Sequence, residues 1–140
     1  MLSPILIDAG PLIALFDSSE KHHHPIKEFL KKNPYRYVST LAVFTEVLFM
    51  LDFHRGAQLG FYEWVMCKGV IISDINQNDM PRIVELTSKY ADIPVDFPDA
   101  TLVITAEKSG IREIISLDKD FAINRLPGRE SIRNVFRNVS

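Results

Sequence analysis

A single cysteine, Cys67, stands in 140 residues, which excludes an internal disulfide framework and any zinc site built from several cysteines. Nor does charge of one sign dominate: 16 Lys and Arg against 18 Asp and Glu leave a net charge of −2. That balance argues against coating nucleic acid by bulk charge, while leaving room for a local basic track. Long apolar runs are missing too. The longest, residues 41–51, contains Glu46 and falls short of the roughly 20 residues that span a bilayer. The first eight residues lack a basic start and are cut off by Asp8, unlike a signal peptide, so the expected protein is soluble, off the membrane and cytoplasmic. No linker, repeat or low-complexity stretch divides the chain. Its length and its 46% hydrophobic content suit one domain with a buried core over residues 1–140.

What the chain does have is alternation. Short aliphatic runs at residues 5–7, 35–39, 70–72 and 114–117 read as strands, and residues 131–136 as a last, edge strand. Between them lie helical stretches: one opening with Pro11, one over 25–30, one over 41–51, one ending near Gly69, one over 79–90, and one over 99–108 closed by Gly110. This order predicts an α/β fold, a three-layer sandwich around a mostly parallel sheet. In such sheets ligands gather at the carboxyl edge of the strands. Asp8 and Asp118 each follow an aliphatic strand directly, so parallel neighbours place both at that edge.

Four acids matter together more than singly. Alone, Asp8 is a turn residue, Asp99 after Pro98 stands where an N-cap is expected, and Asp118 ends a strand. Glu46 differs, because only it and Thr45 are polar in residues 41–51, so it is expected to be largely buried. A buried carboxylate needs a partner, and a metal ion is an economical one, with an Arg or Lys from elsewhere the alternative. Oxygen-only ligands suit magnesium or manganese, which orient a phosphate, neutralise it and acidify a water. His22, His23 and His24 lack a second cluster at zinc spacing and read as exposed histidines at a helix start.

Four segments carry a resemblance. They are Ile-Leu-Ile-Asp-Ala-Gly-Pro-Leu-Ile-Ala at 5–14, Val-Ser-Thr-Leu-Ala-Val-Phe-Thr-Glu-Val at 38–47, Asp-Phe-Pro-Asp-Ala-Thr-Leu-Val at 96–103 and Ile-Ser-Leu-Asp-Lys-Asp-Phe at 115–121. In this order and at these separations the chain resembles a PIN domain, and within that superfamily the VapC-like ribonuclease toxins. The resemblance implies a metal-holding quartet of Asp8, Glu46, Asp99 and Asp118, with Asp96, Ser116 and Thr40 in support. It implies magnesium- or manganese-dependent hydrolysis of RNA by a metal-activated water, and an antitoxin partner. The stretch after Phe121 matches poorly.

RNA must also be gripped, and Arg125, Arg129, Arg133 and Arg137 are the candidates for phosphate contact. Lys31, Lys32 and Arg36 form a smaller basic group, for which a solvated face is the simpler reading. The aromatic and Met residues Phe44, Phe49, Met50, Phe53, Phe61, Trp64 and Met66 are expected in the core or on a homodimer surface, and Cys67 as a packed thiol. Rival readings fare worse. A haloacid-dehalogenase-like phosphatase needs an Asp where Gly10 stands, and no glycine-rich loop with Lys forms a phosphate cradle. A receiver domain would stretch Asp74 into a phosphoacceptor and finds Asp17 too far along. A PIN-fold module that binds RNA or protein without cutting would be marked by loss of the acids, and all four are present.

Overall fold

The computed structural model describes residues 2–89, 95–117 and 132–136. Five strands form one sheet: β1 (Pro4–Ile7), β2 (Arg36–Ser39), β3 (Ile71–Ile72), β4 (Glu113–Ile115) and β5 (Arg133–Asn134). Their spatial order is β3-β2-β1-β4-β5, and every neighbouring pair is parallel. The six helices are α1 (Ala9–Phe16), α2 (His23–Lys32), α3 (Leu41–Met50), α4 (Arg55–Met66), α5 (Met80–Lys89) and α6 (Phe97–Ser109). The fold class expected from the sequence is therefore the one observed, with the edge strand in place.

Burial explains the aliphatic runs. Ile5, Leu6 and Ile7 are all fully buried although successive side chains of a strand face opposite sides, so both faces of the sheet are covered. Ile114 and Ile115 on β4 repeat this pattern. α4 is pinned by Phe61, which packs edge-on against Phe44 of α3 (centroids 5.0 Å) and Phe16 of α1 (5.5 Å). Beyond α4 the chain turns through Lys68, at φ 67°, and Gly69, whose added Cβ would stand 2.2 Å from the Trp64 ring. Gly110 closes α6 in the left-handed region, as its position suggested.

One expectation about packing fails, and another divides. Cys67 is exposed just past α4, not packed. Phe49, Met50, Phe53 and Met66 also face solvent, whereas Phe44 and Phe61 lie in the core. Of the three histidines only His24 is exposed. His22 Nδ1 lies 3.0 Å from Glu20, and His23 Nδ1 donates to the Ala14 carbonyl at 2.8 Å. No helix among the described residues is long and apolar enough to cross a membrane.

The topology singles out one place. The chain runs from β1 outward to β2 and β3, then returns to add β4 and β5 on the other side of β1. The strand order thus reverses between β1 and β4, and the crevice at the carboxyl ends of those two strands is where open α/β sheets take ligands.

Candidate active site at the carboxyl edge

Asp8 leaves β1 at that crevice. It caps α1, Oδ1 accepting from the Ala9 amide at 2.8 Å, while Oδ2 accepts from Ser116 Oγ at 3.2 Å. Burial pushes its carboxyl up to about 6, with Glu46 and Asp96 adding to the rise and the Ala9 and Ser116 bonds opposing it. Ser116, buried directly after β4, is itself clamped. Its amide donates to Asn134 Oδ1 (3.2 Å) and its carbonyl accepts from Asn134 Nδ2 (3.0 Å). No local signal marks Asn134, since the partnership spans 18 residues and exists only once β5 is paired.

Asp99 does not cap α6. The cap is Asp96, in extended conformation, whose Oδ1 accepts from the Asp99 amide at 2.9 Å. Pro98 explains the correction: lacking an amide hydrogen, it belongs inside the first turn, where amides have no helical partner, so the helix starts before it. Asp99 consequently sits one turn in. Its carboxyl is raised to about 8, by burial first, then by Asp96 and Asp8, and a hydrogen bond to the Asp96 side chain favours the protonated form.

Glu46 is exposed, contrary to expectation. α3 buries Val43, Phe44 and Val47 but leaves Leu41, Phe49 and Met50 in solvent, so an apolar helix is here only half covered. Partial desolvation still raises the Glu46 carboxyl, and Asp96 adds to it. Asp96 therefore presses on Asp8, Glu46 and Asp99 alike.

Among the described residues Thr40 hydrogen-bonds no carboxylate. Its hydroxyl lies 2.8 Å from Thr101 Oγ1 and accepts from the Val43 amide at 3.3 Å, while Thr101 donates to the Pro98 carbonyl at 2.6 Å. The pair latches the start of α3 to the first turn of α6, a positioning role that sequence reasoning assigned to neither. Arg133 faces solvent on β5 and is ion-paired with Glu113 at the start of β4, two residues short of the acid edge. Asp118, Arg125, Arg129 and Arg137 lie outside the described residues.

Among the described residues, the charges that weigh on Asp8, Glu46 and Asp99 are carboxylates, and none is a cation. Among the described residues no three Asp, Glu, His or Cys side chains close into a set that would hold an ion alone. The donors present are oxygens only, a set that fits a hard divalent cation once a further acid joins them.

The family model of the PIN domain matches residues 5–125. The fold is similar to Mycobacterium tuberculosis VapC20, a Sarcin-Ricin loop cleaving toxin, with TM-score 0.74 and 19% identity over 84% of this chain and 92% of that one. It is also similar to a toxin-antitoxin complex from Klebsiella pneumoniae, with TM-score 0.64 and 24% identity over 89% of this chain and 93% of that one. No curated protein sequence matches the chain.

Proposed function

Because the chain belongs to the PIN domain family, we propose that it is a divalent-metal-dependent endoribonuclease, a single domain acting in the cytoplasm as the toxin of a toxin–antitoxin pair. The observation that carries this reading is the gathering of mutually repelling carboxylates at the switch point of the sheet, with no cation among the described residues acting on them. Asp8, Glu46 and Asp99, joined by Asp118, would hold magnesium or manganese. When bound, such an ion neutralises the scissile phosphate and acidifies a water for attack on phosphorus.

The chain's own residues set the geometry. Ser116, held by Asn134, fixes the Asp8 carboxylate through Oδ2. Asp96 fixes the Asp99 backbone as helix cap, and the Thr40–Thr101 latch keeps α3, and with it Glu46, against that turn. The apolar faces of α3 and α4 enclose a groove of about 620 Å³ lined by Leu41, Phe44, Leu48, Val65 and Met66. We assign this surface to protein partners, an antitoxin and a second copy of the chain.

Incubating the purified, antitoxin-free protein with a cellular RNA pool tests the activity. Discrete fragments with magnesium or manganese, none with chelator and none from Asp8→Asn are expected. Intact RNA throughout would replace the nuclease with a binding module.

A further inference from the structure

Beside the acids lies a second cleft, of about 420 Å³, between the end of β3, the start of α3 and the first turns of α5 and α6. Its volume falls in the range of small-ligand sites. Ile72, Met80 and Phe97 line it with apolar surface left open to water, and Phe97 is half exposed. Phe97 is also the first residue of α6, between Asp96 and Asp99, while Thr40 and Thr101 of the latch form the inner wall. The cleft thus shares the first turn of α6 with Asp96 and Asp99.

One polar group in it has spare capacity. Ser73 Oγ lies 3.0 Å from Thr105 Oγ1, whose one hydrogen also reaches the Thr101 carbonyl at 2.9 Å, so the Ser73 hydroxyl is already engaged. One oxygen of Asp74 accepts from Asn76 Nδ2 at 3.1 Å, and the other has no donor there. Lys108 Nζ holds the Asp74 carbonyl at 2.9 Å and Asp79 at 3.2 Å, which fixes the loop that presents them. An aromatic face beside a fixed acceptor matches what an unstacked amino-bearing base offers: a π-face and a hydrogen-bond donor on its edge.

We propose that this cleft receives one unstacked nucleobase of the RNA strand cut at the acids, stacked on Phe97 and selected by Asp74 for an exocyclic amino group, cytosine over uracil. The inference rests on the ribonuclease reading and adds the substrate preference. A carboxylate accepts from the cytosine amino group and repels the carbonyl oxygen that uracil carries in the same place.

The test uses Asp8→Asn protein with magnesium and two fluorescent pentanucleotides, UUCUU and UUUUU, followed by anisotropy. The cytosine pentamer is expected to bind about tenfold tighter. Adding Asp74→Ala should level the two. Adding Phe97→Ala should weaken both by roughly fivefold or more, while Phe97→Trp keeps the affinity. Both side chains are exposed, so these changes leave the core intact. Equal affinities, no binding of either pentamer, or a preference that survives Asp74→Ala would overturn the proposal. Wild-type cleavage of cellular RNA is scored separately. Cutting without cytosine preference removes the cleft and leaves the nuclease; preference in binding without any cutting does the reverse.

Discussion

Asp8 shows most directly what the carboxylates do to the protein that carries them. Its carboxyl stands at about 6 in the folded state against an ordinary 3.8, so the fold retains a proton that the unfolded chain gives up. Stability from this group is whole below 3.8 and is lost as pH rises through about 6. Asp8→Asn should therefore raise the melting temperature in chelator above that window, by at most about 3 kcal/mol in free energy, and change little below it. Asn caps a helix as well as Asp does, so the comparison is clean. Thermal melts across the pH range check this, and an equal shift at all pH values would refute it. Ser116→Ala should weaken metal affinity roughly tenfold by freeing Asp8 Oδ2, which calorimetric titration with manganese would measure. The candidate acids were legible because acids after aliphatic strands are conspicuous. Asn134 was not, because its role is defined across a strand pairing rather than along the chain.

Single side chains act through the elements that hold them, and α6 holds more than one. Its first turn carries the cap Asp96, the raised Asp99 and the latch to α3. Thr101→Val keeps the shape but removes the acceptor for Thr40, leaving the hydrogen of that buried hydroxyl unpaired while its oxygen still accepts from the Val43 amide. We expect a loss of about 1–3 kcal/mol in denaturant unfolding and a fall in cleavage larger than that stability loss explains. Gly69→Ala should also destabilise, because its Cβ would enter the Trp64 ring, and the melt should show it without any change in metal affinity. The inner strands β1 and β4 were readable from the sequence to within a residue or two, since burial on both faces demands unbroken aliphatic runs. The helices were readable as helices but not by exposure. α3 looked like a core helix because its composition cannot distinguish a side covered by its own fold from one kept for another molecule.

That uncovered side belongs to the whole molecule. Phe49 and Met66 are about three-quarters exposed, on the two helices that frame the large apolar groove. An apolar patch of this kind marks an interaction site rather than a solvated face. Sedimentation of wild type against Phe49→Asp should shift from dimer toward monomer; a wild type that is monomeric at all concentrations would leave the groove to the antitoxin alone.

The order of the strands in the sheet also has a consequence in time. β1, β2 and β3 emerge first during synthesis, whereas β4, which brings Ser116 to Asp8, is the fourth to appear and must add to the edge of β1 left open until then. A ribosome that has made the first 90 residues has made Asp8 and Glu46 but not Asp96, Asp99 or Ser116. On the ribonuclease reading, the acid site thus stays incomplete until β4 has been made.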